Sequence, residues 1–173
     1  ISSFYHDSAA ALIVDGKIIS AVQEERFSRI KGDRSFPFMS ISFCLDQFGL
    51  SIEDLDYIAF YENPEISFER VFNNIDFRLK NILKIFEIFK NWGRERLRFE
   101  EFFLLVYPSF KGKFFYSRHH ESHAASAYYP SGLKSAAILT IDGVGENTTA
   151  SISVGLGGEI NKVKELNFPD SIG

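Results

Sequence analysis

Residues 119–146 read HHESHAASAYYPSGLKSAAILTIDGVGE, and this stretch carries more information about the fold than any other. Its histidine-rich beginning is followed by small residues, which allow a helix to approach another backbone closely. The run from Ala136 to Asp142 is apolar before its last residue except for Thr140, a pattern typical of a buried strand. The stretch therefore predicts a helix that leads into a buried strand ending at a carboxylate.

Hydrophobic periodicity extends the prediction to the rest of the chain. Strands are predicted at residues 1–5, 9–14 and 17–23, with a hairpin at Asp15-Gly16. A helix is predicted over 38–49, a strand over 57–61 and another hairpin around Gly157-Gly158. Two helical stretches are predicted over about 66–92 and over 99–106, with an interruption at Gly93. Three strands followed by alternating helices and strands match a ribonuclease H-like α/β layer. A second run of strands then matches the beginning of the same layer.

This duplicated order is the plan of the actin-like ATPase superfamily, which is an argument from analogy. We predict a first ribonuclease H-like lobe over residues 1–132, with a helical insertion at about 66–106. Residues 133–173 are predicted to begin the second lobe. The Phe-rich insertion is expected to pack on one face, and its aromatic side chains are also candidates for an acceptor pocket or a subunit contact.

Three of the four histidines lie within five residues, at His119, His120 and His123. The spacing of His119 and His123 places both imidazoles on one face of a helix, one turn apart. Two neutral imidazoles and a carboxylate can hold one divalent cation, and Asp142 lies where an uncompensated carboxylate would be costly. The sequence predicts a metal site made of these three residues, although packing or capping histidines share the same spacing. His120 points about 100° away from His119 and is predicted to orient a ligand or cap the strand end.

The loop after the buried strand contains two glycines. We predict that this loop binds the cofactor through Gly143, Gly145 and Glu146. Its backbone amides can contact a phosphate or a ligand bound to the metal. The alternative is an ordinary hairpin turn, because Asp-Gly is a common turn dipeptide.

Two polar segments near the start of the chain are further candidates. His6 lies in the tip YHDSA and is predicted to protonate or hydrogen-bond a phosphate oxygen, with a polar β-turn as the alternative. The charged loop of residues 24–34 is either solvated surface or a site in which Arg26, Arg29 or Lys31 binds an anionic substrate.

Composition excludes some classes of function. The chain has 173 residues, 45% hydrophobic content, 19 Phe and a net charge of −4, so it can form a core but presents no global field for nucleic acid. Cys44 is alone and is predicted to be a buried small hydrophobe. A cytoplasmic protein without membrane partners is expected, because neither a membrane-length apolar run nor a signal peptide is visible. Since the chain does not begin with Met, we expect a piece of a longer protein.

Three separated stretches, HDSAAALIVDGKIISAVQEERFSRIKGDRSFP, HHESHAASAYYPSG and TIDGVGE, resemble the O-carbamoyltransferases of nodulation-factor and antibiotic biosynthesis. The resemblance implies an N-terminal domain similar to the ATPase of tRNA threonylcarbamoyladenosine synthesis, followed by a YrdC-like C-terminal domain that is absent from this chain. It also implies that carbamoyl phosphate and ATP give a carbamoyl-adenylate. The carbamoyl group then passes to a hydroxyl of a small molecule such as a sugar or an antibiotic.

The resemblance further implies a metal, Fe(II), held by two histidines and two aspartates. His119, His123 and Asp142 match the first three ligands, and the fourth is expected downstream. His6 matches a residue near the carbamoyl group and Lys31 lies in a bordering loop, so both are predicted to be catalytic. Gly32 occupies a place where family members often have a histidine. A tRNA threonylcarbamoyl transferase and a non-catalytic partner-binding domain remain alternatives.

Overall fold

The computed structural model describes residues 1–75 and 81–173 and has an α/β architecture. Its described strands, numbered in chain order, are β1 Ala9–Val14, β2 Lys17–Gln23, β3 Tyr57–Phe60, β4 Lys113–Tyr116, β5 Ser135–Gly145, β6 Thr148–Leu156 and β7 Glu159–Asn167. Its described α-helices are α1 Glu25–Ser28, α2 Phe38–Asp46, α3 Pro64–Asn73, α4 Ile82–Asn91, α5 Phe99–Val106 and α6 His119–Tyr128. Single 3₁₀ turns occur at Ile52–Asp54 and Tyr129–Ser131, and a π-helical turn at Trp92–Arg96.

The strands form three small sheets. Strands β1 and β2 make an antiparallel hairpin, β3 pairs with β4, and β5, β6 and β7 form an antiparallel sheet in that order. The first hairpin turns at Asp15 and Gly16, both with positive φ, as the Asp-Gly signal predicted. The hairpin around Gly157-Gly158 is likewise confirmed, because β6 and β7 flank it.

The chain divides into two compact units, each described here by itself. The first comprises Ile1–Phe60 and Lys90–Phe115, and the second comprises Tyr61–Phe89 and Tyr116–Gly173. The predicted boundary between lobes at residues 132 and 133 stays a prediction, as does the ribonuclease H-like or actin-like character of the fold.

The first unit is built around a core rich in phenylalanine. Phe60, Phe99 and Phe103 are almost completely buried, and the rings of Phe60 and Phe99 lie 4.3 Å apart between centroids. Helix α5 therefore uses its aromatic residues for packing, which is one of the roles expected for the Phe-rich region. Cys44 of helix α2 is 3% exposed, so its predicted role as a buried small side chain is confirmed.

Glu24 shows that the charged loop is partly structural. Its side chain is buried and accepts hydrogen bonds from the backbone N–H groups of Met39 and Ser40, at 3.0 and 2.8 Å. These amides belong to the first turn of α2, where backbone donors have no partner within the helix. The Ser40 hydroxyl donates a third bond at 2.6 Å. The expectation of a wholly solvated loop was wrong at Glu24, because helix α2 needs an acceptor at its beginning.

The second unit consists of helix α6 packed on the sheet of β5, β6 and β7, together with α3. Ala124, Tyr128 and Ile138 form its buried apolar cluster, with Ala136 and Ile160 against them. Gly155 of β6 lies under the Tyr128 ring, where a β-carbon would approach ring atoms to 2.6 Å. The small residues of the helix and the glycine of the strand thus permit the close approach that the sequence predicted.

Other predicted elements differ from the structure. Residues 1–5 do not form a strand, and only Ser2 makes an isolated bridge, to Ala9. The helix predicted over 99–106 is confirmed as α5, and the interruption predicted at Gly93 falls in the π-helical turn. The stretch predicted over 66–92 instead contains two helices, α3 and α4, and its segment 76–80 lies outside the described residues. None of the described helices is both long enough and apolar enough to cross a lipid bilayer.

Candidate metal site

Helix α6 brings two of the predicted ligands to one edge of the second unit. His120, Ala124 and Tyr128 recur every four residues and form the buried face of the helix. His119 and His123 are also four residues apart, and each comes one position before a residue of that buried face, so both lie along its margin. Packing of the buried face therefore fixes the direction in which these two imidazoles point.

Strand β5 supplies the third predicted ligand. Nε2 of His119 lies 2.9 Å from Oδ2 of Asp142 and 3.0 Å from Nε2 of His123. The distance from Nε2 of His123 to Oδ2 of Asp142 is 3.7 Å. The structure thus brings the three predicted ligands together, with one donor atom from each within 4.8 Å of the others.

The carboxylate of Asp142 is held in place by its own neighbour. The backbone N–H of Gly143 donates to Oδ1 at 2.7 Å, which leaves Oδ2 directed toward the histidines. The residue lies in an irregular part of β5, where the pairing with β6 shifts between Ile141 and Gly145. The hairpin turn itself is at Glu146 and Asn147, so the Asp142-Gly143 pair serves the carboxylate and is not the turn.

Gly145 makes room for the first histidine. A β-carbon at this position would lie 2.7 Å from Cγ and 2.9 Å from Nε2 of His119, far inside normal contact distance. The edge of the Tyr61 ring contacts the same imidazole, with centroids 5.9 Å apart. The His119 ring is therefore confined between an aromatic side chain and a bare backbone.

The protonation of the site favours metal binding. Burial, followed by the proximity of His123, lowers the pKa of His119, although the Asp142 carboxylate opposes this shift. Burial raises the pKa of Asp142, but the hydrogen bonds from His119 and from the Gly143 amide outweigh it, so this pKa lies below its ordinary value. A neutral imidazole and an ionised carboxylate are the forms that bind metals.

The three side chains fit a divalent transition metal. Neighbouring ligands of an ion with bonds of about 2.1 Å are separated by about 3.0 to 3.4 Å, and two of the three distances here are 2.9 and 3.0 Å. Two imidazoles and one carboxylate form a donor set that suits iron, zinc or manganese. The His123 side chain is 52% exposed and that of Asp142 is 34% exposed, so a ligand from solution can reach the group.

Glu146 lies beneath the amino ends of two helices. Its buried carboxylate accepts from the backbone N–H of Asn63 at 2.6 Å and from the backbone N–H of His119. Burial raises the pKa of Glu146, against the effects of these amides and of Arg118, whose guanidinium is 3.8 Å away. The carboxylate therefore anchors the beginning of α6, a role that the sequence did not indicate. Its predicted contact with a cofactor stays a prediction, as do those of Gly143 and Gly145.

The two predicted catalytic residues belong to the first unit. The exposed His6 side chain contacts the neighbouring Asp7, with Nδ1 2.7 Å from Oδ2. Lys31 is exposed and precedes Gly32. A β-carbon built on Gly32 would lie 4.0 Å from Oδ1 of Asp7. The bond from the Ser8 N–H to the Asp33 carbonyl, at 2.7 Å, joins the two segments. The structure thus places the loops of His6 and Lys31 side by side, and their catalytic roles stay predictions.

Comparison with known proteins identifies the class. The chain matches the family described as "Carbamoyltransferase N-terminus" over residues 1–173, and it belongs to that family. The resemblance inferred from the sequence motifs is thereby confirmed.

Three relatives align along nearly the whole chain. Nodulation protein NolNO from Sinorhizobium fredii is 34% identical, and the alignment covers 99% of this chain and 24% of that protein. An uncharacterized Synechocystis protein, sll1178, is 41% identical over 100% of this chain and 29% of its own length. An uncharacterized Methanocaldococcus jannaschii protein, MJ1051, is 26% identical over 97% of this chain and 26% of its own length. The chain therefore spans roughly a quarter of the length of the relatives it matches.

Proposed function

We propose that this chain is the metal-binding N-terminal part of a carbamoyltransferase that acts on a hydroxyl group of a small molecule. The observation that carries the proposal is the convergence of His119, His123 and Asp142 in a chain of the carbamoyltransferase family. A fourth ligand, and a second domain of the YrdC type, would come from residues beyond this chain.

The proposed reaction is the one that the resemblance to this family implies. Carbamoyl phosphate and ATP are the proposed substrates, and a carbamoyl-adenylate is the proposed intermediate. In the transfer step, the acceptor oxygen forms a bond to the carbamoyl carbon while the bond from that carbon to the AMP oxygen breaks. The acceptor hydroxyl loses its proton, and AMP leaves with the electron pair of the broken bond.

A divalent cation, Fe(II) by resemblance, would be held by His119, His123 and Asp142 and would supply charge neutralisation for phosphate oxygens. A neutral His119 imidazole and an ionised Asp142 carboxylate meet less competition from protons for such a cation, because the pKa values of these two groups are both lowered. Gly143, Gly145 and Glu146 follow directly in the chain and are proposed to face the bound nucleotide with backbone groups.

His6 and Lys31 are proposed to act on the carbamoyl group. His6 is a candidate to accept the acceptor proton or to donate a hydrogen bond to the carbamoyl oxygen. Lys31 is a point charge on a flexible stem and suits a phosphate oxygen of carbamoyl phosphate. The exposure of both side chains supports contact with a substrate from solution.

The test uses the full-length protein with its metal content measured by elemental analysis. Incubation with carbamoyl phosphate, ATP and a panel of sugars and hydroxylated antibiotics should release AMP and give a carbamoylated product. Turnover only with tRNA and threonine would assign the protein to threonylcarbamoyl transfer instead. Absence of both bound metal and turnover would support a non-catalytic partner-binding domain.

A further inference from the structure

His120 is the one histidine of the cluster that the candidate metal site leaves unexplained. The residue is 6% exposed, its ring centroid lies 6.1 Å from those of His119 and His123, and it is not one of the three converging ligands. Nδ1 of His120 lies 2.7 Å from the hydroxyl oxygen of Thr140, which is also buried. A buried imidazole with a short hydrogen bond to a buried hydroxyl is costly to lose, because the remaining partner would be left unsatisfied.

The hydrogen bond continues into the next strand. Oγ1 of Thr140 lies 2.7 Å from Oγ of Ser151, and these two residues are directly paired between β5 and β6. Each hydroxyl has one proton and can accept as well as donate, so the hydrogen bonds from Nδ1 of His120 through Thr140 to Ser151 can be arranged donor to acceptor. Nε2 of His120 is buried and has no hydrogen-bond partner among the described residues. We call these three residues, His120, Thr140 and Ser151, the buried hydrogen-bond chain. It connects helix α6 to two strands through side chains alone.

The buried hydrogen-bond chain lies next to the candidate metal site. His120 follows His119 in the helix, and Thr140 precedes Asp142 by two residues on β5, on the same face of that strand. The contact of His119 with Asp142 and the contact of His120 with Thr140 therefore form two adjacent connections between the same helix and the same strand. A shift of α6 along β5 that separated one pair would also separate the other.

We infer that His120 and Thr140 are positioning residues of the metal site: their hydrogen bond fixes the register of helix α6 on strand β5 and so holds His119 and Asp142 at ligand distance. Neither residue touches the metal. This inference rests on the proposed metal-binding function. Outer partners that orient metal ligands commonly change metal affinity 10- to 100-fold when they are removed.

The test compares two substitutions at Thr140 in the full-length protein. Thr140→Val keeps the shape and removes the hydroxyl, whereas Thr140→Ser keeps the hydroxyl and removes a methyl group. Thr149→Val is the matched control, because Thr149 is also buried, on β6, and its hydroxyl donates to the Asp170 carbonyl at 2.6 Å, with the Leu166 carbonyl at 3.1 Å, and not toward α6. Each protein is titrated with Co(II), and affinity, the visible ligand-field spectrum and thermal unfolding of the metal-free protein are recorded.

We expect Thr140→Val to weaken Co(II) binding about 10- to 100-fold and to alter the spectrum, and Thr140→Ser to restore both nearly to the wild-type values. Thr149→Val should lower thermal stability while its Co(II) affinity and spectrum stay those of the wild type. Wild-type binding and spectrum in Thr140→Val would overturn the inference and leave the proposed function standing. A wild-type protein that binds no Co(II) would instead overturn the proposed function.

If Thr140→Val does not fold, His120→Asn provides the same test at the other end of the hydrogen bond. The Asn amide can reach toward Thr140 in place of Nδ1, and partial retention of Co(II) affinity with a wild-type spectrum is expected. A His120→Leu variant that folds and binds Co(II) as tightly as the wild type would contradict the inference.

Discussion

The imidazole of His119 lies directly against the backbone of Gly145, so closely that a β-carbon at residue 145 would stand 2.7 Å from Cγ of the ring. The glycine is therefore required by a side chain that reaches it from another element, and its own backbone is not in the positive-φ region. This relationship makes residue 145 a sensitive test of the candidate metal site.

Substitution of Gly145 by Ala should displace the His119 ring from its present position 2.9 Å from Asp142, and we expect metal binding to weaken at least about 10-fold. Isothermal titration of the full-length protein with Co(II) or Zn(II) measures this loss. Gly93→Ala is the control, since a β-carbon at that position meets open space. Equal affinity of the two variants would show that the His119 ring adapts and that Gly145 is not needed for metal binding.

Removal of either imidazole should abolish metal binding and carbamoyl transfer while the fold is kept. His119→Ala and His123→Ala each delete one of three ligands, and we expect a loss of affinity of more than about 100-fold. Elemental analysis and turnover with carbamoyl phosphate, ATP and an acceptor provide the measurements, with circular dichroism as the check on folding. Glu121→Ala serves as a control on the exposed surface of the same helix. Normal turnover in either histidine variant would identify these residues as packing residues.

The metal-free protein should lose stability as the solution is acidified. The pKa of His119 is lowered in the folded state, first by burial and then by His123, so below its ordinary value of 6.5 the unfolded chain binds a proton that the folded chain excludes. The pKa of Asp142 is also lowered despite its burial, which adds a second loss of stability below 3.8. Glu146 acts in the opposite direction, because burial raises its pKa and the ionised form costs stability above 4.5.

Chemical denaturation of the metal-free protein between about pH 3 and pH 8 tests these signs, because this range spans the ordinary pKa values of the three groups. The free energy of unfolding should decrease as pH falls through about 6.5, and His119→Ala should make this part of the profile flatter. A profile of His119→Ala parallel to that of the wild type in this range would show that burial of His119 does not contribute to the pH dependence.

Glu24 should be important for stability and not for metal binding. Glu24→Ala leaves the amides of Met39 and Ser40 without their acceptor at the beginning of α2, and we expect a loss of about 3 kcal/mol in the free energy of unfolding. Urea denaturation measures it, and Glu100→Ala, at an exposed position in the first turn of α5, is the matched control. Similar unfolding free energies for both variants would mean that solvent satisfies these amides equally well.

The local pattern of the sequence was sufficient for several elements because their causes are local. The Asp-Gly hairpin and helix α2 depend on residues a few positions apart, and the structure contains both. The spacing of His119 and His123 and the Asp142 carboxylate on the strand after them were equally visible, although β5 continues to Gly145. These features required only helical and strand periodicity together with the chemistry of metal ligands.

The distances within the candidate site were decided by tertiary packing. No short-range pattern shows that Gly145 lies under the His119 ring, that Glu146 accepts from the amide of Asn63, or that His120 meets Thr140, because these partners are 20 to 83 residues apart. The failure of residues 1–5 to form a strand has the same origin, since a strand requires a partner along its length and Ser2 finds one only at Ala9. Periodicity specifies which faces are apolar, whereas the choice of partner depends on how those faces pack.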